Sequence, residues 1–389
     1  MNLIELAESH FPQTQADRRL LHRHPELAFE EYHTADFVTA RLQELGFAVK
    51  SGIAGTGLVA SFDTKRTGPS FLFRFDMDAL RVQEENEIEY CSQVSGKMHA
   101  CGHDGHVAIG LTIGWMIRQI QDQLNGTYHL LFQPAEEIGQ GAVRMMKEGV
   151  LDEIKPDYVL GVHLWNEKPF GWLGIRGGAL MAASSTFEID VIGKGGHGGQ
   201  PQTSIDPIVA SAQIVNQIQT IISRNLNPFD SAVMSVCSIY GGTSFNITPS
   251  KVIMTGTIRY LSEDSYSILK HRLEEICEGA ALAMGVKVEL KLEALVDATC
   301  NDAAVVKVAQ GAASKLGRQV QIDETYQTML SEDVGVFLEQ VPGCFVLVGA
   351  GEQADGNPYP HHHPRFNFEE RAMPLSAALL LQTCLDLAG

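Results

Sequence analysis

Hydrophobic and polar positions alternate between strand-like and helix-like patterns over the first 180 residues. Buried strands are predicted for the short apolar runs at 57–62, 71–75, 128–133 and 158–165. Residues 107–121 are long enough and periodic enough for a mostly buried helix. A further helix is predicted to be capped by Thr34 and ended by Gly46. Strands separated by helices predict a largely parallel sheet.

The pattern changes after Gly178, where the order of elements becomes strand, helix, strand, strand, helix, strand. These six elements are predicted at 185–195, 206–224, 231–242, 251–261, 264–284 and 286–295. That order is typical of a split βαβ, ferredoxin-like unit. Helix and strand alternation then returns, with another buried strand at 344–351. We therefore predict an α/β fold in which a mostly parallel-sheet domain (1–180 and 294–389) carries an inserted ferredoxin-like α+β domain (181–293).

Length, charge and cysteine usage limit the functional class. A chain of 389 residues favours two domains. The net charge of -18 and a pI near 5.2 argue against nucleic-acid binding. No apolar segment is long enough to span a membrane, and the acidic N-terminal stretch does not resemble a signal peptide, so a cytoplasmic location is predicted. Seven scattered cysteines do not resemble a disulfide framework.

The run MHACGHDGH (98–106) places a thiol and an imidazole two residues apart, at Cys101 and His103. Both groups are good ligands for zinc and neighbouring transition metals, and the glycine between them permits a tight turn. The alternative interpretation is a helix N-terminus with Asp104 near the cap and an inert buried cysteine.

A pair of acidic residues, Glu136 and Glu137, follows the predicted strand at 128–133. Adjacent carboxylates point in different directions, so one can bind a metal while the other faces the reacting water. Most such pairs are solvated loop charges. This pair, however, stands at the carboxyl end of a buried strand, where open α/β sheets place their sites.

Two further histidine signals complete the set. His163 lies inside an apolar run, where a core histidine is the ordinary alternative. Three consecutive histidines at 361–363 lie between Pro360 and Pro364, where a surface histidine cluster is the alternative. Four such signals at strand ends or adjoining loops of one domain predict a metal site.

Nine motifs together resemble the aminoacylase and hippurate hydrolase family of binuclear metallo-amidohydrolases. In chain order they are FRFDMDAL, MHACGHDGH, QPAEE, GVH, GKGGHG, FNITPS, GTIR, SED and HHHPRF. The resemblance spans nearly the whole chain and implies two divalent metal ions, zinc or manganese. The implied ligands are Cys101, His103, Glu137, His163 and His362. Glu136 is implied to be the general base, and Asp76, Asp78 and Asp104 are implied to orient the ligands.

His362 is preferred over His361 and His363 because the family places its ligand two residues before the proline of this loop, here Pro364. In the inserted domain, the resemblance implies that His197 is catalytic and that Asn246 and Arg259 bind substrate. It also implies a homodimer, or an oligomer built from dimers, that is formed through the inserted domain. His197 then acts either in its own subunit or on the partner's site.

The residues and the resemblance together predict metal-dependent hydrolysis of the amide bond of N-acyl-L-amino acids, with hippurate-like or N-acetyl substrates. A carboxylic acid and an amino acid are the products, and the expected partner is this small molecule rather than nucleic acid or membrane. Two alternatives stay open: a metallo-dipeptidase or carboxypeptidase, and a non-catalytic ligand-binding relative.

Overall fold

The computed structural model describes residues 2–317, 320–352 and 356–389. The chain divides into two compact units. Unit 1 contains Met1–Gly178, Thr299–Tyr326 and Asp333–Gly389. Unit 2 contains Ala179–Ala298 and Gln327–Glu332.

The elements fall into three stretches along the chain. The first stretch contains α1 (Leu3–Ser9), α2 (Phe11–Arg23), α3 (Tyr32–Glu44), β1 (Ala48–Ile53), β2 (Gly57–Asp63), β3 (Ser70–Asp76), α4 (His103–Ile120), β4 (Thr127–Gln133), α5 (Gly141–Lys147), α6 (Val150–Ile154), β5 (Tyr158–Pro169) and β6 (Trp172–Gly174). The second contains β7 (Gly178–Met181), β8 (Ala183–Ile192), β9 (Gly196–His197), α7 (Pro207–Asn225), β10 (Ala232–Tyr240), β11 (Ile247–Thr248), β12 (Lys251–Tyr260), α8 (Glu263–Met284) and β13 (Lys287–Val296). The third contains β14 (Thr299–Asn301), α9 (Ala303–Lys315), β15 (Gln321–Asp323), α10 (Gly335–Leu338), β16 (Gly343–Gly351) and α11 (Ala372–Ala388).

Unit 1 is built on an eight-stranded sheet in the order β1-β2-β4-β3-β5-β16-β6-β15. The pairs β4–β3, β3–β5, β5–β16 and β6–β15 are parallel. The pairs β1–β2, β2–β4 and β16–β6 are antiparallel. The predicted mostly parallel α/β sheet is confirmed.

Helix α4 packs closely on this sheet because 15 of its 18 residues are buried and most of its side chains are apolar. At Gly110, a Cβ atom would lie 2.7 Å from the rings of both Phe75 and Phe132, so only glycine permits this approach. Close packing brings the first turn of α4 to the carboxyl ends of β3 and β4, where the candidate chemistry lies.

Unit 2 is built on a four-stranded antiparallel sheet in the order β10-β12-β8-β13. The first and third strands of this sheet in chain order, β8 and β12, lie in its centre, which is the arrangement of a split βαβ unit. Helices α7 and α8 cover one face, and Asp206 caps α7 through the backbone N–H of Ile208 (2.8 Å). The predicted ferredoxin-like unit is confirmed.

Two local predictions were wrong. Helix α3 begins at Tyr32, not after Thr34, because the carboxylate of Glu26 already accepts the N–H groups of His33 and Thr34 in its first turn. Helix α4 begins at His103, not at 107, so the last four residues of the MHACGHDGH run (103–106) form its first turn. Within the described ranges, no helix is long and apolar enough to cross a membrane.

Candidate active site

The parallel strands place three candidate segments near the carboxyl ends of β3 and β4. Strands β3 and β4 run in parallel register until Asp76 pairs with Gln133, the last residue of each strand. The pairing of β3 with β5 ends at Gly161, two residues before His163. The loops after Asp76 and Gln133 therefore leave the sheet beside His163.

His103 is fully buried at the start of α4, after Gly102 adopts a left-handed φ of 96°. Its Nδ1 donates to the backbone carbonyl of Asp78 (2.9 Å), so in the neutral ring the lone pair lies on Nε2. That Nε2 atom has no hydrogen-bond partner and lies 3.8 Å from Glu136 Oε2 and 3.9 Å from Glu137 Oε1. A buried lone pair facing two carboxylates has the arrangement of a metal ligand.

The carboxylate of Asp78 fixes the acidic pair. Its two oxygens accept the backbone N–H groups of Glu136 (3.1 Å) and Glu137 (3.0 Å). The same residue holds His103 through its carbonyl. Asp78 thus contacts both candidate ligands, His103 and Glu137, for which the family resemblance implies an orienting role.

The predicted ligands form two triads that share Cys101. In one triad, Cys101 Sγ lies 3.5 Å from His163 Nε2, and His103 completes the group within 4.8 Å. In the other, His362 Nε2 lies 3.2 Å from Glu137 Oε2, and Cys101 completes the group within 4.8 Å. Metal–ligand bonds of about 2.0–2.3 Å in a tetrahedral site separate neighbouring donors by roughly 3.3–3.8 Å. The Cys101–His163 and His362–Glu137 distances are close to this size.

Of the three loop histidines, His362 is the one that belongs to a triad. His362 has a left-handed φ of 68°, and its N–H donates to Ala100 O (2.8 Å). His361 instead donates from Nε2 to Leu164 O (3.0 Å). His363 Nδ1 accepts the N–H of Arg365 (3.0 Å).

The electrostatics of the cluster suit cations. Burial lowers the pKa of His103, but the carboxylates of Asp76 and Asp78 outweigh it and raise this pKa to about 10. Burial and neighbouring imidazoles hold the pKa of His163 well below its usual value, so that ring is neutral, as a metal-binding imidazole must be. A thiol, imidazoles, carboxylates and the partnerless His103 Nε2 and Glu137 Oε1 atoms together fit two divalent ions.

Several supporting residues were missed from the sequence. His106 donates from Nδ1 to Asp76 Oδ1 (2.6 Å) and accepts the N–H of Leu164 at Nε2 (3.0 Å), which ties α4 to β5 beside His163. Arg74 is fully buried and pairs with Asp76 (2.6 Å) and Asp333 (2.9 Å). An arginine inside an otherwise apolar strand was the available signal, because a buried charge requires partners.

Asp104 has different contacts from those expected. Its Oδ2 accepts from Arg18 Nε (2.8 Å) and His22 Nδ1 (2.8 Å), all at fully buried side chains. It therefore joins α2 to the start of α4 and supports His103 through the helix backbone.

In unit 2, His197 and Asn246 lie together on an exposed ribbon formed by β9 and β11. The N–H of Gly198 donates to Asn246 O (2.8 Å). His197 Nδ1 accepts the N–H of Gly199 (3.0 Å), so the neutral ring carries its proton on Nε2. Nε2 of His197 is thus a hydrogen-bond donor.

Arg259 lies on β12 of the same unit. Its guanidinium donates to the hydroxyls of Thr257 (3.2 Å) and Ser331 (2.6 Å). Burial lowers the pKa of Arg259, and no carboxylate of the described residues pairs with it. A half-buried guanidinium of this kind can take a carboxylate from a ligand.

The model of Peptidase family M20/M25/M40 matches residues 72–386. The chain belongs to this family. It is 36% identical over 366 residues to the N-acetyl-L-cysteine deacetylase of Bacillus subtilis (strain 168), covering 94% of this chain and 86% of the relative. It is 34% identical over 366 residues to the IAA-amino acid hydrolase ILR1-like 4 of Arabidopsis thaliana, covering 93% of this chain and 82% of the relative.

Among solved structures, the M20/M25/M40 chain is similar to the YXEP protein of Bacillus subtilis, which is described as a dinuclear metal binding peptidase from the M20 family. The TM-score is 0.86 at 30% identity, with 98% of this chain and 99% of that chain covered. These matches confirm the predicted resemblance, the amidohydrolase class and metal-dependent hydrolysis of N-acyl amino acids.

Proposed function

We propose that this M20/M25/M40 family member hydrolyses N-acyl-L-amino acids with Glu136 as general base, and releases a carboxylic acid and an amino acid. The observation that carries the proposal is the position of Glu136. It adjoins the ligand candidate Glu137, and its carboxylate lies 3.8 Å from His103 Nε2 at the edge of the two triads. A carboxylate in that place can reach water held at the site.

The five residues of the two triads are proposed to hold two divalent ions. When bound, such ions lower the pKa of a water molecule and polarise the amide carbonyl. The thiol and imidazoles favour zinc, whereas mixed nitrogen and oxygen ligands also accept manganese.

The residues of the chain supply the proton transfers. Glu136 takes the proton of the attacking water and passes it to the departing amide nitrogen. Asp78 holds the Glu136 backbone, so the carboxylate is oriented before substrate binds.

Unit 2 is proposed to contribute the remaining contacts, in the role of a lid and dimerisation domain. His197 donates from Nε2 to the developing oxyanion, either in its own subunit or in a homodimer partner. Arg259 pairs with the substrate carboxylate, and Asn246 bonds the substrate from the same ribbon as His197. A cytoplasmic location stays a prediction from the sequence.

The names of two relatives favour acyl amino acids as substrates. One relative is a deacetylase of N-acetyl-L-cysteine, and another is a hydrolase of IAA-amino acids. A second candidate is peptidase activity, because another relative is named thermostable carboxypeptidase 1 of Saccharolobus solfataricus. The same groups would attack a peptide bond, so the shape of the acyl pocket separates the two functions.

The test is a release assay over acetyl, benzoyl, indole-acetyl and longer acyl amino acids, with dipeptides as competitors and with zinc or manganese added separately. We expect turnover of at least one acyl amino acid and loss of turnover after chelation. Each substrate is paired with its C-terminal amide, for which we expect KM to rise about 10–100-fold when the contact with Arg259 is lost. Hydrolysis of dipeptides alone would establish the peptidase, and turnover unaffected by chelation would contradict the metal site.

A further inference from the structure

Glu31 is a buried acid at the start of α3 whose side chain does not cap the helix. It stands at the N-cap of α3, yet its side chain forms no bond to the first turn of that helix. The side chain turns inward and is fully buried. Its Oε1 accepts the N–H groups of Phe29 (3.0 Å) and Ala135 (2.9 Å), and its Oε2 accepts the hydroxyl of Thr56 (2.5 Å).

Both backbone donors to Oε1 have left-handed backbone. The φ of Phe29 is 62° and that of Ala135 is 54°. This region is disfavoured for residues with a Cβ atom and persists only where surrounding contacts determine it. One carboxylate oxygen of Glu31 thus fixes two strained turns that are 106 residues apart in the chain.

Ala135 leads directly into the acidic pair of the site. The N–H of Ala135 is bound by Glu31, and the next two N–H groups, of Glu136 and Glu137, are bound by Asp78. Three successive peptide groups are therefore held by two buried carboxylates. The direction of each N–H fixes its peptide plane, and these planes set where the two glutamate side chains leave the backbone.

Burial of the Glu31 carboxylate costs free energy, because it removes the charged group from water. Burial raises the pKa of Glu31 to about 7, and no basic side chain of the described residues forms an ion pair with it. A buried carboxyl group without a cation contributes through the hydrogen bonds that it accepts.

We infer that Glu31 is a positioning residue that acts through the backbone of Ala135 to aim Glu136 at the reacting water and Glu137 at the metal site. This inference rests on the proposed function for the role of Glu136. Glu31 belongs to neither triad, and its hydrogen bond to the acidic loop is the one that it accepts from the N–H of Ala135.

The test compares Glu31→Ala, Glu31→Gln and Glu31→Asp. Alanine removes the acceptor, glutamine keeps a carbonyl oxygen without the charge, and aspartate keeps the charge but shortens the reach by one methylene. The measurements are kcat and KM on the acyl amino acid with the fastest turnover, and the Zn²⁺ affinity of chelator-treated protein in competition with a chromogenic chelator. Zn²⁺ affinity reports on Glu137 without any substrate.

Two matched controls separate positioning from loss of stability. Asp302→Ala removes bonds of the same kind, from the N–H groups of Ala304 (2.8 Å) and Val305 (3.0 Å) to Asp302 Oδ1, at the start of α9 and apart from the acidic pair. Val38→Ala opens a cavity under α3 at a fully buried position. Both controls are expected to lower Tm while kcat and Zn²⁺ affinity stay within about twofold of the wild-type values.

For Glu31→Ala we expect kcat to fall about 10–100-fold with little change in KM, and Zn²⁺ affinity to fall about 10-fold. Glu31→Gln is expected to keep most of the wild-type kcat and Zn²⁺ affinity, whereas Glu31→Asp is expected to lose them as Glu31→Ala does. Should the alanine variant fail to fold, the aspartate variant gives the same comparison. Values of kcat and Zn²⁺ affinity equal to those of the two controls would overturn the inference. A wild-type protein without acyl-amino-acid turnover would overturn the proposed function instead, and Zn²⁺ affinity would still test the role of Glu31.

Discussion

The candidate residues of unit 1 and unit 2 are held in different ways. In unit 1, His103 is buried and its ring is fixed by the carbonyl of Asp78, which also orients the acidic pair. In unit 2, His197 lies on an exposed two-stranded ribbon, where the bond from Gly199 fixes its tautomer. The candidate groups of unit 1 are thus held by buried hydrogen bonds, whereas His197 and Asn246 of unit 2 are exposed.

Replacing Glu136 with glutamine tests the chemistry of the unit 1 site and has the largest expected effect. The amide keeps the size of the side chain but cannot accept a proton, so kcat should fall about 10²–10⁴-fold. Zn²⁺ binding, measured by competition with a chelator, should stay close to the wild-type value. Near-normal turnover in this variant would remove Glu136 from the role of base.

Replacing Arg74 with methionine tests how much the buried ion pairs of unit 1 contribute to the free energy of unfolding. The change leaves Asp76 and Asp333 without the cation that pairs with them, and it should reduce the free energy of unfolding by about 3–5 kcal/mol. Its control in unit 2 is Lys291→Met, which breaks the exposed pair with Glu188 and should change the free energy of unfolding far less. Denaturant unfolding monitored by circular dichroism measures both. Equal losses would mean that the two units do not differ in this respect.

Replacing His197 with alanine tests the exposed ribbon. Loss of one oxyanion donor should lower kcat about 10²–10³-fold, with Tm and Zn²⁺ affinity unchanged because the side chain packs against little. Replacing His271, an exposed histidine on α8 of the same unit, with alanine is the control, with kcat expected at the wild-type level. A drop in Tm with normal kcat would assign His197 to folding rather than catalysis.

A buried histidine of unit 1, outside the candidate site, should make the free energy of unfolding depend on pH. Burial lowers the pKa of His129 on β4 to about 4, while its unfolded value is near 6.5. Between these values the unfolded chain binds more protons, so stability falls as pH falls. From pH 7.5 to pH 5 the loss from this residue is about 2 kcal/mol.

His129→Gln keeps a polar group beside Ser61 and should remove this part of the pH dependence of unfolding. Urea unfolding of both proteins at the two pH values measures the difference. If wild type and variant lose the same free energy on acidification, His129 is not held neutral by burial.

The sequence was sufficient for features that depend on local pattern. The apolar runs predicted β3, β4, β5 and β16, and the switch to strict alternation after Gly178 predicted the inserted unit. Cys101, His103 and Glu137 could be proposed from their own chemistry and their positions at strand ends. Each of these inferences uses residues within about ten positions of one another.

Features that depend on distant contacts could not be predicted in this way. The choice of His362 among three adjacent histidines required the family, because the left-handed backbone that separates them follows from a bond to Ala100. Glu31 stands in a run of acids that is typical of a solvated helix start, and its inward turn depends on Thr56 and Ala135. Helix starts were misplaced for the same reason, since Glu26 binds the first turn of α3 from outside the helix.

The interior position of β16 has a consequence for how the protein is made. This strand lies between β5 and β6, yet it is synthesised more than 160 residues after both of them. Until it emerges from the ribosome, those strands present open edges, which is the situation in which nascent chains need protection by chaperones. His362 is made later still, so a chain that stops before this residue lacks one of the five candidate ligands.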